Sequence, residues 1–262
     1  MHNVLILIYH CIDNGSRLSE DFADPFYTVT GRSFREQMEL ISKLNLRVIK
    51  LDDLVCSILD RKPLQQDSLV ITFDDGYRSD FEIAAPALKE FNLHATFFIT
   101  TNNVQSETVW DKLTEMVKNG FSLGSHTVSH RYLTKLNPVE LREELCGSKT
   151  IIEQKTGQSV NHLSLPGGRY NREVIKAAEE CGYTSVLTTD AGLNNHLSDA
   201  RKLKRWSVKR DTALPEFKRM VQFDSFELFK KVSTSVALRN IKNVIGDETY
   251  TRLKSRIARS KY

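Results

Sequence analysis

The chain has 262 residues, 40% of them hydrophobic and 27% charged, with a formal net charge of +4. That is enough for one large α/β domain, or one domain with a short appendage, and no apolar run approaches the roughly 18 residues of a bilayer-spanning helix. Residues 225–262 carry nine Lys or Arg against three acids, a net +6 that leaves −2 on the remainder, so the main body is not a basic nucleic-acid binder.

Short apolar runs alternate with amphipathic segments along the chain. "NVLILIYH" reads as a buried first strand that ends in His10. "SFREQMELISKLN" has a Ser cap and a Glu three residues on, followed by helical spacing. "RVIKL" reads as a strand, "DDLVCSILD" as a helix and "SLVITFDD" as a strand. "FEIAAPALKEFN", "HATFFIT" and "ETVWDKLTEMVKNG" follow as helix, strand and helix, the last ended by Gly120. Next come "FSLGSH" as a strand and a helix from Asn137 stopped by Gly157. "VNHLSLPGG" is a strand into a turn, "NREVIKAAEECG" a helix, "YTSVLTTD" a strand and "RKLKRWSVK" the last strand. Roughly seven strand–helix repeats predict a parallel sheet with helices outside, in a closed or nearly closed barrel. The alternation stops near Asp224, so residues 1–224 form the expected domain and residues 225–262 a basic helical tail.

The N-terminal run is too short for a signal-peptide core, which makes the cytoplasm the expected location. Cys11, Cys56, Cys146 and Cys181 are far apart and lack a CxxC pair. In a reducing compartment they read as four free thiols.

"LVITFDDGYRSDF" ends an apolar strand in two adjacent carboxylates. Like charges side by side cost free energy to desolvate. A solvated Asp-Gly turn is the plain explanation, and a metal centre the functional one. "LGSHTVSH" adds His126 and His130, whose i, i+4 spacing puts two imidazoles on one face of a helical turn, unless they are a surface pair. With Asp75 they make a facial ligand set with open positions, for which zinc is the default and cobalt, nickel or manganese the alternatives. Asp74 is then left to act as general base on the attacking water.

"TFDDG" (Thr72 to Gly76), "SHTVSH" (Ser125 to His130) and "LSLPGGRYN" (Leu163 to Asn171) resemble the polysaccharide deacetylase family, carbohydrate esterase family four with its NodB-homology domain. "YHCI" and the stretch from Val29 to Leu54 resemble the biofilm exopolysaccharide (poly-N-acetylglucosamine) deacetylase branch, and the likeness covers about residues 3–222. The resemblance implies a distorted (β/α)7 barrel and metal-dependent removal of N-acetyl groups from an amino sugar in a polysaccharide, oligosaccharide or lipid-linked precursor. It assigns Asp74 as base, Asp75, His126 and His130 as metal ligands, and the Gly167 N–H after Pro166 as oxyanion donor. Pro166, Tyr170 and Asp190 are expected to line the substrate site, Asp190 as the acidic residue of the fourth motif.

Two departures stand out. Many members carry an arginine just before the proline motif, paired with the base; here Leu163, Ser164 and Leu165 stand there, and Arg169 follows the motif. The family's final Leu-x-His, source of the general acid, is missing from "RWSVKRDTAL". His10 and His196 compete for that role with Asp74 itself, which can return the proton it takes; the reading preferred has Asp74 doing both and His10 orienting the site. The departures keep a degenerate sugar-binding or scaffold protein as the alternative function. O-deacetylation and N-deformylation are others that use the same machinery. For the tail, a helix pair packed on the barrel competes with peripheral attachment to anionic lipid.

Overall fold

The computed structural model describes residues 2–13, 15, 23–104 and 106–245. Among these residues nine strands are formed: β1 (Val4–Tyr9), β2 (Ile12–Asp13), β3 (Val29–Thr30), β4 (Ser68–Phe73), β5 (Thr96–Ile99), β6 (Ser122–Ser125), β7 (His162–Ser164), β8 (Ser185–Leu187) and β9 (Trp206–Ser207). The helices are α1 (Gly31–Lys43), α2 (Leu51–Leu59), α3 (Ala85–Glu90), α4 (Glu107–Lys118), α5 (Pro138–Thr156), α6 (Arg172–Glu180), α7 (Leu214–Val221) and α8 (Ser225–Ile245).

Seven strands make one parallel sheet in the order β8-β7-β6-β5-β4-β1-β9. The sheet curls until its edges meet through the segment that enters β9. Leu203 donates its N–H to Val186 O at 2.9 Å, and Thr188 donates to Leu203 O at 2.9 Å. Three residues later Trp206 and Ser207 pair with Leu7 and Ile8 of β1. The result is the distorted (β/α)7 barrel.

The strand pleat sorts the side chains into two cores. Leu5, Leu7 and Tyr9 join Leu69, Ile71, Phe73 and the apolar faces of the outer helices. Val4 and Ile6 join Val70, Phe98, Leu187 and Leu203 inside the barrel, together with Leu51, Leu54, Val55 and Ile58 of α2.

Several elements depart from expectation. "RVIKL" is a single bridge, Val48 to Leu69, because Lys50 already caps α2 and leaves no room for a longer strand. The cap of α1 is Thr30, whose side chain accepts from the Ser33 N–H, so the helix starts before the expected Ser33. The "FEIAAPALKEFN" helix opens with a wide π turn, Asp80–Ala84, before α3. Pro86 has no N–H to offer the carbonyl four residues back, and the wider turn precedes it.

The expectation of four free thiols is overturned: Cys146 of α5 and Cys181 at the end of α6 are a disulfide, with Cα atoms 5.2 Å apart. Packing of α5 against α6, invisible in the spacing along the chain, brings them together. Cys11 and Cys56 are not part of a disulfide among the described residues. α8 starts at Ser225 and rests on the barrel through Leu228 and Val232, with Ser235 Oγ accepting from Ala191 N–H at 3.5 Å. Phe226 and Phe229 face outward, 74% and 71% exposed. The second half of the expected tail, residues 246–262, lies outside the described residues.

Candidate active site

The carboxyl-terminal ends of β4, β6 and β7 carry the site. Asp74 N–H donates to Tyr9 O at 3.0 Å, which extends the β1–β4 ladder by one residue. The pleat then sends the Asp74 side chain into the barrel on the same face as Thr72. There it meets Arg205, which is fully buried at the entry to β9. Nη1 of Arg205 donates to Asp74 Oδ1 and Nη2 to Asp74 Oδ2, both at 2.8 Å, a two-pronged pair. The rest of the guanidinium is also satisfied, by Ser164 Oγ at 2.7 Å and Thr188 O at 2.9 Å. Ser164 donates in turn to Asp74 Oδ2 at 2.8 Å. Burial pushes the Asp74 carboxyl up, but Arg205 and then His126 outweigh it and hold the group below its ordinary range. Asp74 is thus an ionised acceptor at neutral pH.

Asp75 takes the opposite direction because the backbone turns left-handed there, φ 81° followed by 74° at Gly76. Asp is among the few residues that tolerate this conformation. Asn103 fixes the turn by donating its side-chain N–H to Asp75 O at 2.9 Å. One carboxylate therefore points at Arg205 while its neighbour points at the histidines, which is how two adjacent charges coexist.

Asp75 Oδ1 lies 3.2 Å from His126 Nε2 and 3.3 Å from His130 Nε2. It is buried and has no hydrogen-bond partner among the described residues. His126 Nδ1 sits 2.8 Å from Ser164 O, so Nδ1 donates a proton there and Nε2 is the nitrogen that faces Asp75. The ligand atoms of Asp75, His126 and His130 all lie within 4.8 Å of one another. An orphaned buried carboxylate oxygen between two imidazole nitrogens, one with its tautomer fixed by a carbonyl, is a donor set that fits a divalent cation. Burial pushes Asp75 up and His126 down, yet the contacts of His126 and then His130 hold Asp75 well below the carboxylate range, and His126 is raised by Asp74 and Asp75. A cation would take the place of the imidazole proton.

His10, one residue past β1, faces the same centre. Its ring stacks on Tyr27, with centroids 4.8 Å apart, and its Nδ1 is buried without a hydrogen-bond partner among the described residues. Burial lowers its basicity, with Asp75 and Asp74 opposing. Pro166 and Gly167 form a tight turn beyond β7. Gly167 has φ 64°, and a Cβ there would come within 2.7 Å of the Tyr132 ring, so both conformation and space demand glycine. Tyr170 donates its hydroxyl to Asp190 Oδ2 at 3.4 Å. Asp190 connects to the centre through its backbone, its carbonyl accepting from Arg205 N–H at 2.9 Å. Arg169 lies over the Tyr132 ring, 5.4 Å from its centroid. His162 bridges Asp52 at 3.1 Å and Ser185 at 2.9 Å.

Arg205 and Ser164 escape sequence reasoning. The arginine absent from the segment before Pro166 is supplied from the approach to β9, 131 residues from Asp74, and Ser164 fills the vacated position by bonding to both partners. Within "RKLKRWSVK" nothing distinguishes Arg205 from its exposed basic neighbours except that a buried Trp follows it.

This is a parallel (β/α) barrel with a two-histidine, one-carboxylate donor set at its carboxyl-terminal rim and a guanidinium-held carboxylate beside it. The polysaccharide deacetylase family model matches residues 61–186, which span TFDDG, SHTVSH and the proline turn. Those residues are a polysaccharide deacetylase domain by that match. The YxkH protein of Bacillus subtilis is 30% identical over 189 residues, 71% of this chain and 64% of that protein. A peptidoglycan-N-acetylglucosamine deacetylase of Bacillus cereus is 29% identical over 126 residues, 48% of this chain and 58% of that one. The chain thus matches a little under two thirds of these relatives' lengths. Among solved structures, the deacetylase PplD of Streptococcus pyogenes superposes with a TM-score of 0.73 at 22% identity, over 84% of this chain and 97% of that one. IcaB from Ammonifex degensii gives a TM-score of 0.71 at 21% identity, over 85% and 97%. At these identities the likeness is one of fold.

Proposed function

We propose that the protein is a metal-dependent hydrolase that removes N-acetyl groups from an amino sugar in a saccharide chain or its lipid-linked precursor. The observation that carries this reading is the division of labour between Asp74 and Asp75. One is held ionised by Arg205 and free of ligand duty; the other is an unpartnered oxygen between two imidazoles. A decayed sugar-binding site has no reason to keep such a buried charge network satisfied on one side and open on the other. The Arg205 pair also removes one of the two departures that favoured a scaffold protein.

A divalent ion held by Asp75, His126 and His130, zinc by the chemistry of the set, would polarise the acetyl carbonyl and lower the pKa of water from 15.7 towards about 7. Asp74 accepts the proton of the attacking water. The water oxygen bonds to the acetyl carbon, and the Gly167 N–H donates to the oxyanion. The C–N bond then breaks as Asp74 returns its proton to the leaving nitrogen, giving acetate and an amine. His10, kept neutral by burial and oriented by Tyr27, lines the pocket and positions these groups. Tyr170 and Asp190 bind sugar hydroxyls. The test is mass spectrometry of N-acetylated amino-sugar oligomers, O-acetylated and N-formylated analogues and lipid-linked precursors, incubated with protein and zinc. Loss of acetyl from the N-acetyl sugars is expected; loss confined to the O-acetyl or N-formyl analogues, or no loss with a zinc-loaded protein, refutes the assignment.

The cytoplasmic location rested partly on free thiols. With Cys146 and Cys181 paired, an oxidising compartment suits the chain better, since disulfides persist there. Contact with an anionic membrane surface through the segment from Ser225 is part of the proposal. It is supported by the net +6 of residues 225–262 and by outward-facing Phe226 and Phe229. Each basic residue near such a surface is worth up to about 1 kcal/mol. Binding to phosphatidylserine-containing vesicles should weaken with salt and fall on Phe226→Ser/Phe229→Ser; salt-independent binding, or none, refutes it.

A further inference from the structure

His130 is the exposed member of the donor set, 47% accessible, and stands at the end of a loop rather than on a strand or helix. The loop is conformationally costly. Thr127 and His130 both sit in the left-handed region, at φ 70° and 58°, and Thr127 is β-branched. Something must hold it. Glu144, in the second turn of α5 and only 6% exposed, does so with both carboxylate oxygens. Its Oε2 accepts from the N–H groups of Val128 and Ser129, each at 2.9 Å, and its Oε1 accepts from the Ser129 hydroxyl. One turn further along α5, Ser148 Oγ lies 2.6 Å from Ser125 Oγ, which itself accepts from Thr127 N–H at 3.2 Å. One helix face thereby grips the loop on both sides of His126.

We infer that Glu144 is a positioning residue of the ligand set: from α5 it fixes the strained 127–130 turn so that His130 Nε2 meets Asp75 and His126, and it thereby sets the affinity of the site for its cation. Glu144 hydrogen-bonds to the backbone and hydroxyl of the turn and not to the donor atoms of Asp75, His126 or His130. Its leverage comes from paired N–H groups that would otherwise be left without partners in a part-buried turn. The ion itself rests on the proposed function; the grip on the loop does not, and the test separates the two.

The protein is stripped with a chelator and titrated with zinc against a chromophoric chelator, and amide hydrogen exchange is followed in the metal-free state. Glu144→Ala should weaken zinc by roughly 10- to 100-fold, the scale of outer-shell losses at metal sites. Amides 127–130 of the metal-free protein should exchange at least about tenfold faster, with the sheet amides unchanged. Glu144→Gln, whose one carbonyl oxygen can serve both N–H groups, should stay within about threefold of the wild type. Glu144→Asp withdraws the carboxylate by one methylene and should move both readouts in the same direction as Ala, by less; it also replaces Ala if that variant does not fold. Wild-type exchange at 127–130 in the Ala and Asp variants overturns the inference, whether or not zinc binds. Zinc affinity unchanged in a variant with a loosened turn also overturns it. A wild-type protein that binds no zinc refutes the metal reading alone, and the exchange data then judge the grip.

Discussion

Replacing Asp74 by Asn should lower turnover by roughly 10² to 10⁴, the usual contribution of a general base, while zinc content stays near that of the wild type. Asn keeps the shape and one acceptor for Arg205 and Ser164 but cannot take a proton. The ligand set is left whole, because Asp74 Oδ2 approaches His126 Nε2 only to 4.0 Å whereas Asp75 lies at 3.2 Å. His126→Ala, in contrast, should lose zinc and activity together. Metal analysis beside single-turnover kinetics decides the assignment. A variant Asp74→Asn that loses zinc, with Asp75→Asn retaining it, would mean the two carboxylates have been given each other's roles.

Arg205→Met has the larger effect on stability. It strands a carboxylate that is 3% exposed, and removing one partner of a buried ion pair typically costs about 3–5 kcal/mol. Arg205→Lys should recover little, since an ammonium cannot serve Asp74 in a two-pronged fashion while also reaching Ser164 and Thr188. The pH dependence follows from the direction of the Asp74 shift. A carboxyl depressed in the folded state stabilises fully above its unfolded value, near 3.9, and loses that contribution as pH falls through the folded value. In Arg205→Met the carboxyl loses its counter-charge and burial pushes it up. The gap between wild type and variant should therefore be widest near neutral pH and narrow on acidification. Urea unfolding across pH measures it. The double variant Asp74→Leu/Arg205→Met should regain much of the loss, because an apolar pair of similar volume carries no stranded charge. An Arg205→Met protein within about 1 kcal/mol of the wild type would show that the pair is not the anchor proposed.

Local signals made part of this legible. Asp74, Asp75, His126 and His130 each follow an apolar strand run within a few residues, and barrel sites gather at those ends, so the sequence already pointed to these four as one candidate cluster. The strand–helix alternation disclosed the barrel for the same reason: period-2 and period-3.6 patterns are written in adjacent residues. What escaped depends on long-range geometry. Arg205 meets Asp74 only because the barrel closes, and on paper it is one basic residue among several. Glu144 reads as an exposed helix acid until α5 is laid against the histidine loop. Cys146 and Cys181 are related by the packing of α5 on α6. The short "RVIKL" strand failed at a boundary, where the cap of α2 competes with the sheet for the same backbone groups.

The disulfide changes how the site can come apart. Cys146 and Cys181 close a covalent loop across 35 positions of the chain, and Ser164, Pro166, Gly167 and Tyr170 all lie inside it. In the chain-entropy account, a crosslink of that span removes about 3–5 kcal/mol worth of freedom from the unfolded chain. The restraint falls on one side of the pocket only. Asp74, Asp75 and Arg205 reach the centre from outside the loop and rely on the sheet and on one another. When the fold breathes, the wall from Ser164 to Tyr170, proposed above to meet the oxyanion and the sugar, is therefore tethered as a unit, while the wall that carries Asp74, Asp75 and Arg205 has no such crosslink.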